Sequence, residues 1–296
     1  TPRGMAVPDA IKEVRRISPG ALGDAHHYFE PGQGVERKKR TKKKRKPKLK
    51  HARGLMGWPK VSNDCGEGLR IGMIDSPVEV DHPALAGRNV EYISYVQARS
   101  TPVGTHGTAV ASILVGSNSP EDWGGILPGA SLYAVNIFKT GKGGKPVGDG
   151  MALGKGIDWL LKKQVHAVNL SVASAENKAL NFLFKQALKK GLIMVAAAGN
   201  WRDIGRIGYP AALDGVMAVT AVSRKKAIYN KASVGPYIDF AAPGVKMWTA
   251  VPGGGKFQSG TSFASPYLTS LVAIEIAKYG KMDLNEIRSR LGRRIH

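Results

Sequence analysis

The chain has 296 residues, 43% of them hydrophobic, and a formal net charge of +22. This length is enough to bury a large core, in one large domain or two small ones. No unbroken apolar run of about 18 residues occurs, so no membrane-spanning helix is expected. The single cysteine, Cys65, excludes an internal disulfide bond.

Basic residues are concentrated near the N-terminus, where eleven of the fourteen residues between Arg37 and Lys50 inclusive are Lys or Arg. Such a block repels itself and does not fold alone. We interpret it as a solvated linker, with attachment to a nucleic acid, an anionic glycan or a membrane surface as alternatives. The sequence therefore predicts a removable leader at 1–35 with a short helix at 10–17, a basic disordered linker at 36–56, and a globular domain at 57–296.

Beyond residue 57, apolar runs alternate with helical patterns along the chain. Strands are predicted at 69–74, 131–138, 166–172, 192–198 and 216–222, and helices at 106–115, 150–163, 178–190, 263–279 and 283–291, the last capped by Asp283. Apolar runs without alternation indicate strands that are buried on both faces, and the strand–helix–strand order indicates a parallel sheet. The sequence therefore predicts a three-layer α/β fold with a central, mostly parallel sheet flanked by helices.

The segment Gln258-Ser-Gly-Thr-Ser-Phe-Ala-Ser-Pro266 leads into an apolar helix. Proline is tolerated only in the first turn of a helix, so Pro266 places the helix start close to Thr261 or Ser262. A serine at that point lies where unpaired N–H groups and the helix dipole favour negative charge. Ser262 is therefore a candidate nucleophile, with an ordinary helix cap as the alternative.

A serine nucleophile needs a base, and the chain has seven histidines. His106 is the candidate because it begins a predicted helix within Val103-Gly-Thr-His-Gly-Thr-Ala109, where small neighbours let the imidazole reach another segment. The alternative is a capping or surface histidine. His82 falls in a predicted loop, and His166 begins a predicted core strand and is expected to be structural.

Two polar residues come just after predicted strands, at the sheet edge where the working groups of parallel sheets collect. Asp75 ends a buried strand, where a carboxylate is costly unless it is paired, and an imidazole N–H is a suitable partner. Asn200 follows three alanines and a glycine, so its amide could donate to a substrate carbonyl. The alternatives are a turn-capping aspartate and an ordinary turn asparagine.

Taken together, these residues follow the chain order of the subtilisin-like serine proteases (subtilases), which this chain resembles over roughly residues 71–277. Strings similar to that family also lie between the motifs: Tyr133-Ala-Val135, Asn169-Leu-Ser171, Gly208-Tyr-Pro-Ala211 and Ala241-Ala-Pro-Gly244. The resemblance implies that Ser262 is the nucleophile and that His106 acts as base and then as acid. It implies that Asp75 orients His106 and that Asn200 donates to the oxyanion. The implied protein is a secreted or periplasmic serine endopeptidase that works through an acyl-enzyme. The resemblance also implies that the leader at 1–35 could be the remnant of a pro-region.

The same resemblance suggests how a substrate would bind. In subtilases the backbone near Ser171, Val172 and Ala173 pairs with an extended substrate and forms one wall of the primary pocket. Ala173 stands where glycine is usual, so we expect the pocket to be narrower at that wall. Gly208 matches the floor of the family's pocket and offers no charge. We therefore expect a neutral or apolar residue before the cut, and Asp203, nearby in sequence, is the feature that would favour a basic one.

The sequence departs from the family pattern in two places. Ser76 and Pro77 follow Asp75 where glycine is usual two residues on, so we expect a rearranged loop with activity retained. Ala84 stands where calcium-binding relatives often carry an aspartate. We therefore expect no tight calcium site and no other cofactor, with weak calcium binding still open.

The loop at 116–125 also bears on calcium binding, because it offers only Glu121 and Asp122 as carboxylates.

Peptides and proteins are the expected substrates, and residues 37–50 could contact a polyanion. Two alternative functions stay open: a catalytically inactive binding module with the subtilase fold, and a protein that binds nucleic acid or another polyanion through the basic block.

Overall fold

The computed structural model describes residues 8–9, 12, 15–16, 30–31, 50–96, 102–118, 123–202 and 207–293. Its centre is a seven-stranded sheet in which every neighbouring pair is parallel. From edge to edge the strands are β11 (Phe240–Pro243), β10 (Val216–Val222), β9 (Met194–Ala197), β7 (Ala167–Leu170), β2 (Arg70–Asp75), β4 (Ser131–Asn136) and β3 (Val90–Ser94). The predicted parallel sheet is confirmed.

Among the described residues, three antiparallel pairs of strands lie outside this sheet. They are β1 (Glu30–Pro31) with β8 (Val172–Ala173), β5 (Phe138–Thr140) with β6 (Pro146–Gly148), and β12 (Met247–Val251) with β13 (Gly254–Gln258). The first pair joins the N-terminal segment to the body of the protein.

From Lys50 onward, the described residues form the helices α1 (Lys50–Leu55), α2 (Thr105–Val115), α3 (Gly150–Lys162), α4 (Lys178–Lys189), α5 (Ser265–Tyr279) and α6 (Leu284–Gly292). Short 3-10 turns occupy Lys142–Gly144 and Thr261–Phe263. Asp283 caps α6 by accepting the Glu286 N–H, as predicted. Residues 8–9, 12 and 15–16 are helical, and the rest of the helix predicted at 10–17 lies outside the described residues.

Helices cover both faces of the sheet, which confirms the three-layer prediction. On one face, Ile71 and Met73 of β2 pack in a buried cluster with side chains of α2 and α5, among them Val110, Leu114, Leu268 and Val272. On the other face, Ile74 packs in a second cluster with side chains of α3 and α4, among them Leu153, Leu160 and Phe184. Alternate side chains of one strand thus enter two cores.

Two predicted strands are interrupted. The strand predicted at 131–138 ends at Asn136, whose side chain accepts the Phe138 N–H (2.8 Å) and turns the chain into β5. The strand predicted at 166–172 breaks at Ser171, between β7 and β8. The helix predicted at 263–279 begins at Ser265, because a 3-10 turn precedes it.

Helix α1, which lies before the domain boundary predicted at residue 57, also contacts the body of the protein. In α1, the Arg53 Nη2 donates to Asn118 Oδ1 (2.6 Å) and to the Gly125 carbonyl oxygen (2.7 Å). Met56 and Trp58 pack against the first core cluster. Most of the leader and linker predicted at 1–56 lies outside the described residues, so that division stays a prediction. In the part of the chain that the structure describes, no helix is long and apolar enough to span a membrane.

Candidate active site

The carboxyl ends of three neighbouring strands bring the predicted residues to one edge of the sheet. Asp75 is the last residue of β2, Ser171 follows β7, and Asn200 lies three residues beyond β9. These strands are adjacent in the order β9, β7, β2. Because parallel strands end on the same side, their trailing residues meet there.

Asp75 and His106 form a buried hydrogen-bonded pair. The His106 Nδ1 lies 2.7 Å from Asp75 Oδ1, and the two side chains are 2% and 0% exposed. The same carboxylate oxygen accepts the Ser76 backbone N–H (2.6 Å). A carboxylate accepts, so Nδ1 carries the proton and Nε2 presents its lone pair. Nε2 has no hydrogen-bond partner among the described residues.

Small residues let the start of α2 approach the loop after Asp75. A Cβ at Gly107 would lie 2.2 Å from the Ser76 carbonyl oxygen, and a Cβ at Gly104 would lie 2.7 Å from the Pro77 carbonyl oxygen. The Ser76 Oγ accepts the Gly107 N–H (2.9 Å). Ser76, which precedes the departure from the family pattern at Pro77, is therefore part of the joint that seats His106 against Asp75.

Ser262 lies in the 3-10 turn before α5 and is fully buried. Its Oγ donates a long hydrogen bond to the Ser171 carbonyl oxygen (3.4 Å), and the Ser171 Oγ donates to the Ser262 carbonyl oxygen (3.0 Å). The ring of Phe263, the next residue, lies 5.5 Å from the His106 ring between centroids. The structure thus brings Ser171, Ser262 and His106 into one neighbourhood.

Asn200 is tied to the same turn. Its Oδ1 accepts the Thr261 backbone N–H (3.0 Å) and lies 3.3 Å from the Thr261 hydroxyl, which in turn accepts the Gly199 N–H (3.2 Å). Gly199 has φ of 103°, a conformation that favours glycine. The Ala-Ala-Ala-Gly-Asn segment thus ends with its amide directly beside the residue before Ser262.

Comparison with known proteins agrees with this arrangement. The model of the subtilase family matches residues 66–294. The chain belongs to the subtilase family. It is 31% identical to subtilisin DY of Bacillus licheniformis, over 76% of this chain and 83% of that protein. It is also 31% identical to subtilisin NAT of Bacillus subtilis subsp. natto, again over 76% of this chain but only 60% of that protein.

Solved protease structures are also similar to this chain. The protease domain of PatA matches with a TM-score of 0.67 at 26% identity, covering 78% of this chain and 88% of that one. A cold-adapted subtilisin-like serine proteinase matches with a TM-score of 0.65 at 23% identity, covering 79% and 84%, and this second likeness concerns the fold. The subtilase described here is therefore classed as a serine endopeptidase.

A buried polar network beneath Ser262 was missed by the sequence analysis. Asn169 of β7 donates to the Ser171 Oγ (2.8 Å) and accepts from Ser265 (2.6 Å) and Thr269 (3.1 Å). All four side chains are fully buried. The available signal was an amide inside an apolar strand, which must find partners when buried. This network joins β7 of the subtilase to α5 and holds the turn that carries Ser262.

The residues predicted for the substrate pocket lie on adjoining segments. Val172 and Ala173 form β8, and Ser174 then exchanges two backbone hydrogen bonds with Tyr209, the neighbour of Gly208. A Cβ at Gly208 would lie 2.5 Å from the Ala198 carbonyl oxygen, so glycine is needed for this close approach. The structure thus brings the predicted wall and floor of the pocket together. Asp203 lies outside the described residues.

The region considered for calcium is described only in part. Ala84 is fully buried, and its carbonyl oxygen accepts the Ser117 N–H (2.8 Å). Glu121 and Asp122 lie outside the described residues. The expectation of no tight calcium site therefore stays a prediction for this subtilase.

His82 and His166, the other histidines of the body that the structure describes, make hydrogen bonds within the fold. The His82 Nδ1 accepts the Ala84 N–H (3.0 Å) and its Nε2 lies 2.9 Å from the Gly254 carbonyl oxygen. The His166 Nδ1 accepts the Arg70 backbone N–H (2.9 Å), which joins the start of β7 to β2. The structural role predicted for His166 is confirmed.

Proposed function

We propose that this subtilase hydrolyses peptide bonds through Ser262 as nucleophile, His106 as general base and Asp75 as the group that orients the imidazole. The observation that carries the proposal is the buried Asp75–His106 hydrogen bond of 2.7 Å. This hydrogen bond fixes the tautomer in which Nε2 is the proton acceptor. The His106 ring also packs against Phe263, the residue after Ser262. A buried imidazole held in this way fits a base better than a helix cap.

The proposed reaction begins when the Ser262 hydroxyl leaves the Ser171 carbonyl and hydrogen-bonds to His106 Nε2. Oγ attacks the substrate carbonyl carbon while its proton passes to Nε2, and Asp75 stabilises the imidazolium that forms. His106 then protonates the leaving amine, which frees the C-terminal product and leaves an ester on Ser262. Water, deprotonated by His106, hydrolyses that ester and restores the serine.

The developing oxyanion needs donors, and we propose that Asn200 supplies one with its side-chain NH₂ and that the Ser262 backbone N–H supplies another. The contact between Asn200 Oδ1 and the Thr261 N–H supports this, because it anchors the carbonyl end of the amide and so orients its donor end. Preorganised donors of this kind stabilise charge without moving when the reaction occurs.

We propose further that an extended substrate pairs with Ser171, Val172 and Ala173, and that a neutral or apolar residue precedes the cut. The buried Ala173 and the close approach at Gly208 support this preference, since neither offers a charge to a basic side chain. We also propose that the protein is secreted or periplasmic, and that residues 37–50 contact polyanions.

The test compares two serine variants for hydrolysis of casein and of a chromogenic peptide. Ser262→Ala should abolish turnover. Ser259→Ala is the matched control, because its Oγ accepts the Lys246 N–H (2.9 Å) and has no part in the proposed chemistry. It should hydrolyse both substrates at close to the wild-type rate. Equal turnover by wild type and Ser262→Ala would refute the assignment.

A further inference from the structure

Trp201, the residue after the proposed oxyanion donor, packs its indole against two glycines beside the predicted pocket. A Cβ built on Gly208 would lie 3.2 Å from Trp201 Cζ3, and a Cβ built on Gly199 would lie 3.0 Å from the same atom. The edge of the indole thus enters the space that two absent side chains leave open. The residue is half-buried, and none of the roles proposed above uses it.

Backbone hydrogen bonds hold Trp201 at this place. Its N–H donates to Ser233 Oγ (3.4 Å), and the N–H of the next residue, Arg202, donates to the Lys231 carbonyl oxygen (3.0 Å). Both acceptors lie on the segment between β10 and β11. Because two successive residues are tied to that segment, the indole has a defined position relative to Gly208.

The predicted floor under the indole is fixed as well. Gly208 packs so closely on the Ala198 carbonyl oxygen that a Cβ would lie 2.5 Å from it, and the Tyr237 hydroxyl donates to the same oxygen (3.0 Å). The two backbone hydrogen bonds between Ser174 and Tyr209 tie the predicted wall to this floor. Packed backbone of this kind does not yield to make room. A large substrate side chain could reach the floor only by displacing the indole.

We propose that Trp201 determines which residue is accepted before the cut. Its indole covers the floor at Gly208, so the pocket takes glycine, alanine or serine and rejects phenylalanine, leucine and other large side chains. The added methyl group of Ala173 on the predicted wall acts in the same sense. The inference rests on the proposed function and deepens it, because it makes size the criterion and names the residue that sets it.

The expected effect is large because apolar pockets discriminate by volume. One methylene more or less in such a pocket changes kcat/KM by roughly 10–200-fold. Phenylalanine exceeds alanine by a whole ring, and forcing extra volume into a packed site is also unfavourable. Alanine should therefore be preferred to phenylalanine by at least about a hundredfold.

The experiment uses the full chain and two chromogenic peptides, Ala-Ala-Pro-Ala and Ala-Ala-Pro-Phe, which differ only in the residue before the cut. Wild type should favour the first by the factor given above. Trp201→Ala should raise kcat/KM for the second at least about tenfold and change the first much less, because only the large side chain uses the opened space. Phe182→Ala is the matched control, since it removes a 46% exposed aromatic ring from α4, away from the pocket. It should keep the wild-type preference.

Casein hydrolysis by the same wild-type sample separates this inference from the proposed function. If wild type hydrolyses neither casein nor the peptides, the proposed function itself fails. If casein is hydrolysed but the alanine peptide is not, or if the phenylalanine peptide is preferred, the inference about Trp201 is overturned while the proposed function stands. An unchanged preference in Trp201→Ala overturns it as well. Should that variant fail to fold, the wild-type preference and the milder Trp201→Phe, which should relax it in part, still decide the question.

Discussion

At the scale of single residues, Asn200 shows how one side chain can serve both structure and chemistry. Its Oδ1 accepts the Thr261 N–H and so fixes the turn that carries Ser262. The amide NH₂ is the end that we propose as oxyanion donor. A substitution can therefore separate the two roles, because aspartate keeps the acceptor and removes the donor.

We expect both Asn200→Ala and Asn200→Asp to lower kcat by roughly 10²–10³-fold with KM less changed, since a donor to the transition state is lost in each. The Asp variant should keep a melting temperature closer to wild type, because it retains the acceptor for Thr261. Steady-state kinetics and thermal unfolding of the two variants check this. A wild-type kcat in the Asp variant would show that the NH₂ does not act in catalysis.

The residue types at the site could be predicted from the sequence, but the contacts around them could not. Asp75 ends one apolar strand and Asn200 closely follows another, so a parallel sheet brings them to one edge. The role of Asn169 depends on Ser265 and Thr269, which lie about a hundred residues further along the chain. No local pattern reports such pairings.

At the scale of elements, the joint between β2 and α2 holds His106 against Asp75. Gly107 packs on the Ser76 carbonyl oxygen so closely that a Cβ would lie 2.2 Å away, nearer than any ordinary contact. The obstacle is backbone, so a side chain at this position would have to push α2 outward. His106 stands on that helix and would move with it.

We expect Gly107→Ala to lower kcat/KM by on the order of 10²-fold, the effect of a misplacement of about 1 Å in a catalytic group. Gly154→Ala is the matched control, because the nearest atom to its Cβ is Leu183 Cδ1 at 3.8 Å. In the middle of α3 this change should stabilise the fold by up to about 1 kcal/mol and leave turnover unchanged. Similar losses of activity in both variants would argue against the prediction that the contact between Gly107 and Ser76 positions His106.

His166 links β7 to β2, and this link should depend on pH. Burial and the charge of Arg70 lower the pKa of His166 below its ordinary value of 6.5. The unfolded chain then takes up this proton at higher pH than the folded one. The contribution of His166 to stability is therefore complete above about pH 6.5 and declines as the pH falls toward the folded-state pKa.

The measurement is the melting temperature of wild type and His166→Asn between pH 8 and pH 5 (roughly the range over which histidines titrate). Asparagine keeps an acceptor for the Arg70 N–H but does not titrate. The melting temperature of wild type should fall relative to that of the variant as the pH falls through about 6.5. A difference that is constant across this range would contradict the assigned link.

Elements with continuous apolar patterns were predicted well, and short or exposed ones were not. β10 was predicted with its observed bounds, because its seven residues form one apolar run broken only by a threonine. β3 was missed, since it lies at the sheet edge with Glu91 exposed. The pair β12 and β13 was missed as well, because glycines and a lysine obscure its alternation.

At the scale of the whole molecule, the basic residues are concentrated in one block, with eleven Lys or Arg residues between Arg37 and Lys50 inclusive. All of the block at 37–50 except Lys50 lies outside the described residues, whereas Arg53 of α1 donates hydrogen bonds to Asn118 and to the Gly125 carbonyl. We expect the boundary between removable leader and catalytic domain to fall between Lys50 and Arg53, a few residues before the predicted residue 57.

A chain that begins at Leu55 should keep cooperative unfolding and peptidase activity and lose most of its affinity for polyanions. A chain that begins at Lys50 is the matched control, since it also lacks most of the basic block but keeps Arg53, and it should melt slightly higher. Heparin or DNA binding by the full chain should weaken linearly in log K against log salt. Failure of both truncated chains to fold would show that the leader contributes to the core.

The central claim is that Ser262 is a nucleophile activated by His106, and covalent labelling tests it most directly. A fluorophosphonate should modify the full-length protein at one residue, identified by mass spectrometry of the digested chain as Ser262. Ser262→Ala should take up no label, and His106→Ala should take it up far more slowly, because the base is lost. Labelling of Ser262→Ala at the wild-type rate, or of a different serine in the wild type, would contradict the account.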